Sequence, residues 1–253
     1  MTDVDITQSA LILIPARMAS TRLPNKPLAM IGDAPMIVHV WRRAMEAGIG
    51  PVAVACDDTN IAEAIEAEGG TAVMTRDDHP SGSDRIAEAL QKVDPEGKYP
   101  IVVNFQGDLP TFNPDDLRDL LALMRDETYD IGTLAVAIEE DDERINPSVV
   151  KPVIAFDAQN EDEGRALYFT RCSAPYGEGE LFHHIGIYAY KRDALTRFVS
   201  LPPSPLEQRE KLEQLRALEN GMSIGVRVVR SAPLGVDTQA DLDKARKLLC
   251  PTP

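Results

Sequence analysis

The sequence predicts an α/β protein: a three-layer arrangement in which helices flank a mostly parallel sheet. Two observations carry this. Short apolar runs of strand character recur along the chain, and capped or glycine-stopped helical patterns alternate with them up to residue 138. Such an order favours parallel strands joined by crossover helices, with ligands on the loops at the strands' carboxyl ends. Loops 15–27, 106–112 and 231–237 are the expected places.

Residues 11–14, LILI, form a buried-strand run, and Pro15 is expected to end it by removing a ladder donor. Pro35 followed by MIVHVWRRAMEA gives a helix with proline at its first turn, Met36, Ile37, Val40, Trp41 and Ala44 on one side, and Gly48 as its stop. Residues 51–56 read as a strand. Thr59 is expected to cap a helix to Glu68, ended by Gly69 and Gly70, and residues 71–75 form another strand. A helix follows the polar turn DDHPSGSD, and IVVNF at 101–105 is the most strand-like run in the chain. Asn113 then caps a helix with Pro114 at its first position and two acids in its first turn, and residues 131–138 resume the sheet.

Between about 140 and 192 the pattern changes, because VVKPVIAF, RALYFTR and HHIGIYAYK follow one another without long helices. This predicts a small antiparallel excursion, of a kind that supports oligomerisation, within one domain spanning 1–253. Ser204 and Glu207 form a capping box expected to open a long helix to about Asn220. SIGVRVV returns to the sheet, and Thr238 starts the last helix.

With 253 residues, 43% of them hydrophobic, the chain is long enough for one large α/β domain. A net charge of -15 would repel nucleic acid or an anionic membrane, so neither is expected as a partner. Cys56, Cys172 and Cys250 lack the spacing of a zinc site or disulfide framework, which fits a reducing, cytoplasmic setting. The N-terminal MTDVDITQSA has no basic leader character, and no apolar run approaches the roughly 20 residues of a membrane span.

Against that acidic background, Arg17, Arg22 and Lys26 form a positive island with Ser20 and Thr21, and no acid lies between Asp5 and Asp33. A solvated loop would be the plain explanation for three cations. Their place directly after the first strand of an alternating fold favours an anionic ligand, phosphate above all. Asp108 follows IVVNF and Asp237 follows SIGVRVV through a turn, so both carboxylates can reach the same sheet edge, where their oxygens suit Mg²⁺. There is no GxxxxGK[ST] motif, and Gly177 and Gly179 read as turn residues. His183 and His184 are adjacent on a strand and so face opposite sides; His39 and His79 read as structural.

IPARMASTRLPNKPL resembles the nucleotide loop of the sugar-activating cytidylyltransferases. MTRDDHPSGSDRIAE, NFQGDLP, LYFTR, HHIGIYAYK, SPLEQREKLEQLR and GVDTQADL resemble further blocks of that family in order, and the last blocks are closest to its 3-deoxy-manno-octulosonate (Kdo) branch. The resemblance spans nearly the whole chain. It implies a Rossmann-like sheet of the nucleotide-diphospho-sugar transferase type, and an activity that joins CTP to Kdo with release of pyrophosphate, for lipopolysaccharide biosynthesis. It implies Mg²⁺ on Asp108 and Asp237, catalytic roles for Arg17 and Lys26 beside them, and a homodimer. It places the nucleotide on Pro15, Ala16, Arg17, Ser20, Arg22, Lys26, Thr75, Ser81, Gly82 and Gln106. It places the sugar on Arg85, Gln106, Arg171, His184, Tyr188, Glu210 and Gln214.

The chain departs from the family where QGDEP reads QGDLP, with Leu109 in place of an acid, and in a short segment between LYFTR and HHIG. Another acidic sugar, sialic acid or an amino-substituted octulosonate, is an alternative substrate. A non-catalytic nucleotide sensor is the alternative from another class.

Overall fold

The computed structural model describes residues 10–20 and 22–250; the N-terminal stretch up to Ser9 and the loop hydroxyl of Thr21 lie outside the described residues. The chain divides into two compact units, one of the described residues up to Arg118 together with those from Pro233, the other Asp119–Ala232.

In the first unit, β1 (Ala10–Ala16) leads through a loop to the small hairpin β2 (Met30–Ile31) and β3 (Ala34–Pro35), and then to α1 (Met36–Ala47). β4 (Val52–Cys56), α2 (Thr59–Glu66), β5 (Thr71–Met74), α3 (Gly82–Val93) and β6 (Ile101–Asn104) continue the alternation, and α4 (Pro114–Leu123) begins in this unit and ends in the other. The strand order is β5-β4-β1-β6, every neighbouring pair parallel. Ile12, Leu13 and Ile14 at its centre are fully buried.

Pro15 does not end β1. The strand pairs with β4 as far as Ala16, whereas its register with β6 stops at Leu13. Ile12 N–H bonds toward β4 and Leu13 O accepts from Phe105 on the other side. Odd positions therefore face β6, and the donor that Pro15 lacks would have pointed where the ladder has already finished. The cap of α2 is also one residue earlier than expected: the Asp58 carboxylate, not Thr59, accepts from Asn60 N–H at 2.8 Å.

In the second unit come β7 (Ile131–Ala137), α5 (Asp141–Ile145), β8 (Lys151–Asp157), β9 (Asn160–Thr170), β10 (Phe182–Lys191), α6 (Arg192–Ser200), α7 (Pro205–Glu210), α8 (Leu215–Glu219) and β11 (Ile224–Val229). Its strand order is β10-β7-β11-β9-β8; β7 and β11 run parallel, and the other pairs are antiparallel. The antiparallel excursion is thus found in β8 to β10. The capping box of Ser204 and Glu207 is present, but the expected long helix breaks at Lys211, whose φ is +58°, leaving two short helices. α6 carried too short an apolar stripe, Ala194, Leu195 and Phe198, to be read from sequence. α9 (Gln239–Leu249) returns to the first unit, with Thr238 as cap and Asp241 completing a capping box. Among the described residues no helix is long and apolar enough to cross a membrane.

Candidate active site

The first unit brings three loops together at the carboxyl ends of β1 and β6. A Cβ on Gly107 would lie 2.8 Å from Pro15 O, so only glycine lets the loop after β6 press against the end of β1. Leu23 of the opening loop packs into an apolar cluster with Ile31, Met36, Val236, Leu242 and Ala245. That one cluster fixes Leu23, three residues before Lys26, and Val236, the neighbour of Asp237. Val236 N–H donates to Asp108 O at 3.0 Å, and Leu234 N–H to Thr111 Oγ1 at 2.9 Å, pinning the last loop to the one after β6. Asn25, in the left-handed region with φ +54°, turns the chain into a short 3₁₀ segment that starts at Lys26.

The result is a compact charge cluster. Lys26 Nζ lies 2.8 Å from Asp108 Oδ2 and 3.0 Å from Asp237 Oδ1, and Arg22 Nη2 lies 3.0 Å from Asp237 Oδ2. Burial alone would lower the Lys26 pKa, but the charges and hydrogen bonds of the two aspartates outweigh it and hold the group above its ordinary value. The expectation that Asp108 and Asp237 reach one place is met by their shared contact with a single ammonium. Two carboxylates so close can offer oxygens to one hard cation. Among the described residues no third His, Cys, Asp or Glu completes a metal-ligand group. A cation here would draw its other ligands from water and substrate, which is how Mg²⁺ is ordinarily held beside phosphates.

These groups open onto a cavity of about 400 Å³. Of the residues expected at the nucleotide, Pro15, Ala16, Arg17, Ser20, Arg22, Lys26, Ser81, Gly82 and Gln106 line it, as do Asp108, Asp237 and Arg85. Thr75 does not. It lies buried beneath Arg85, donating to Cys56 O at 3.1 Å and accepting from Arg85 Nη1 at 2.6 Å. Ser81 caps α3 by accepting from Asp84 N–H, so the helix begins inside the polar turn DDHPSGSD and not after it.

A cytidylyltransferase family model matches residues 11–224. The chain belongs to the cytidylyltransferase family. A Methylobacterium radiotolerans protein named 3-deoxy-manno-octulosonate cytidylyltransferase is 61% identical over 239 residues, 94% of this chain and 96% of that protein. A Brucella anthropi protein of the same name is 61% identical over 243 residues, 96% and 97% of the two chains. Among solved structures, a CMP:2-keto-3-deoxy-manno-octonic acid synthetase complexed with CTP superposes with a TM-score of 0.88 at 43% identity, over 96% of this chain and 98% of that one. A glucose-1-phosphate thymidylyltransferase described as putative, from Bacillus anthracis, shares the fold, with a TM-score of 0.65 at 16% identity over 96% of each chain.

The other residues that the cytidylyltransferase resemblance picked for the sugar lie in the second unit, and none lines this cavity. The Glu210 carboxylate accepts from Thr170 Oγ1 at 3.0 Å and from Arg171 N–H at 3.1 Å, while Arg171 Nε donates to Glu210 O at 2.7 Å. Within the expected long helix, Glu210 instead ends α7 with its carboxylate engaged, and Gln214 is buried as the N-cap of α8. His184 is buried, with Nε2 3.0 Å from Thr133 Oγ1 and its ring against Phe169 and Tyr188. Burial, with His183 adding a little, pushes the His184 pKa down to about 3; burial raises the Tyr188 phenol well above its usual value. As the strand alternation predicts, His183 behaves differently, 3.7 Å from Glu143 and a third exposed. Gly177 and Gly179 both take positive φ, as turn residues do.

Two residues at the cavity escaped sequence reasoning. His79, read as structural, lines it, with Nε2 2.5 Å from Glu88; the Lys92 bond, the His79 bond and the Arg76 amide outweigh burial and bring the Glu88 carboxyl to about 2. Asp57 lies just behind the cavity, holding Met18 N–H and Arg85. Its position directly after β4, as Asp108 lies shortly after β6, was the signal available.

Proposed function

We propose that this chain is a Kdo cytidylyltransferase, joining CTP and Kdo to give CMP-Kdo and pyrophosphate and so supplying lipopolysaccharide biosynthesis. The observation that carries the reading is the meeting of Arg22 and Lys26 with Asp108 and Asp237 in one cavity at strand carboxyl ends. Relatives about 61% identical over nearly the full chain bear that name, which supports the choice of sugar.

The 2-hydroxyl oxygen of Kdo bonds to the α-phosphorus of CTP as the bond from that phosphorus to the α,β-bridging oxygen breaks and the hydroxyl proton leaves. Transfer of this kind depends on positioning and charge compensation more than on covalent chemistry by the protein. Arg17, Arg22 and Lys26 grip the β- and γ-phosphates and stabilise the departing pyrophosphate. Asp108 and Asp237 would hold Mg²⁺, which when bound neutralises charge at the α-phosphate and acidifies the attacking hydroxyl. Gln106 borders the nucleotide and the sugar, and Arg85, which lines the same cavity, serves the sugar side with Arg171, His184, Tyr188, Glu210 and Gln214. We carry a homodimer with the reading, since β8 and β9 leave Phe156 and Leu167 exposed, and a cytoplasmic setting, since all three cysteines are free thiols.

Pyrophosphate release measured with CTP, UTP, ATP and GTP, with and without Kdo, tests the activity. Release that needs both CTP and Kdo is expected. CTP binding with no release in the presence of Kdo, sialic acid or an amino-substituted octulosonate would leave only a nucleotide sensor.

A further inference from the structure

Behind the cavity, the chain between β4 and α2 places one largely buried carboxylate against two other segments. Asp57 directs Oδ1 to the Met18 N–H at 3.0 Å, near the start of the opening loop, and Oδ2 to Arg85 Nη2 at 2.9 Å, on α3. The Asp57 and Arg85 side chains are 9% and 3% exposed, so solvent screens this ion pair little. Arg85 Nη1 continues to Thr75 Oγ1, and that hydroxyl to Cys56 O, tying in the ends of β5 and β4. Neither Asp57 nor Met18 lines the cavity, whereas Arg17, Ala19, Ser20 and Arg85 do.

We infer that Asp57 is a positioning residue for nucleotide binding: its carboxylate ties the opening loop at Met18 to Arg85 and holds the loop's cations and hydroxyl in place before the triphosphate arrives. The inference rests on the assignment of loop 15–27 to the nucleotide. A loop of this length with few apolar anchors would otherwise sample many conformers, and each must be given up on binding. Leu23 anchors the loop's far end in the apolar cluster; Asp57 anchors the near end. A carboxylate is the group the place requires. It can accept the amide bond and balance a buried guanidinium together, whereas an amide can keep the first role only and turns a donor toward Arg85.

The test compares Asp57→Ala and the near-isosteric Asp57→Asn with wild type by CTP binding without sugar, hydrogen exchange at the Met18 amide, and steady-state KM for both substrates. In Asp57→Ala, CTP affinity should fall about tenfold or more and Met18 exchange accelerate by a similar factor, with the KM for Kdo changed by a smaller factor than the CTP affinity. Asp57→Asn, keeping an acceptor for Met18, should retain much of the Met18 protection while weakening CTP affinity by a smaller factor. Wild-type CTP affinity together with wild-type Met18 exchange in the folded variants would overturn the inference. So would equal losses for CTP and Kdo, which mark general damage; if Asp57→Ala does not fold, Asp57→Asn carries both readouts. Because binding and exchange need no sugar, failure of the Kdo reading would show separately, as absent turnover by wild-type protein.

Discussion

The two polar clusters pair their charges in opposite ways. In the first unit, Arg22, Lys26, Asp108 and Asp237 satisfy one another across an open cavity through side chains that remain partly exposed, Arg22 by 67% and Asp237 by 44%. In the second, Arg171, Glu210 and His184 are held by backbone groups and buried hydroxyls. The exposed Arg22–Asp237 pair is of a kind that contributes only about 0–1 kcal/mol, so an arriving triphosphate can take over Arg22 at little cost, while Lys26, only 18% exposed, stays between the two aspartates. The second cluster is held firmly where it is buried, at Thr133, Thr170 and His184, because leaving a buried polar group unpaired costs about 1–3 kcal/mol. One cluster suits charge that changes during a reaction, the other suits recognition of a constant shape.

Lys26→Ala breaks the first cluster at its shared cation and should have the largest effect of the substitutions that probe this contrast. The rate of pyrophosphate release should fall by roughly 10²–10³, with affinity for Kdo measured alone nearly unchanged. Glu210→Gln probes the second cluster: the KM for Kdo should rise about tenfold while the KM for CTP stays within about twofold. Equal effects on both substrates would erase the distinction between the clusters.

His184 sharpens the contrast through pH. Its folded-state pKa, about 3, lies below the ordinary 6.5, so the folded protein keeps it neutral while the unfolded chain takes up a proton. This contribution to stability is complete above pH 6.5 and is lost as pH falls toward 3, with a slope of up to about 1.4 kcal/mol per pH unit. His184→Asn should flatten the stability profile by up to one proton between about pH 6.5 and 5, as read from urea unfolding at each pH. Asp58→Ala, the cap of α2 and outside both clusters, should cost only about 1 kcal/mol, seen as a drop of about 2–4 °C in Tm with both KM values unchanged.

Much of the first unit was legible because each of its elements carries a local signal. Gly48 stops α1, Asn113 and Pro114 open α4, and apolar runs mark the buried parallel strands. Its cavity could be placed because strand ends in such a fold converge on one edge, and Arg17, Arg22, Lys26, Asp108 and Asp237 all sit at them. The second unit was less legible because its shape depends on contacts distant in sequence. Lys211 breaks the expected helix in the left-handed region, and Glu210 spends its carboxylate on Thr170 and Arg171 some 40 residues earlier. Pro15 was misjudged for a similar reason, since which neighbour its missing donor faces is a property of the sheet and not of the tripeptide.

Pyrophosphate release from CTP by the Asp237→Ala variant, at saturating Kdo and Mg²⁺, tests most directly whether the loop cations and the two aspartates act on one triphosphate. The account predicts a rate at least about 100-fold below that of the wild type, in a protein whose Tm is little changed. Turnover at the wild-type rate would contradict it.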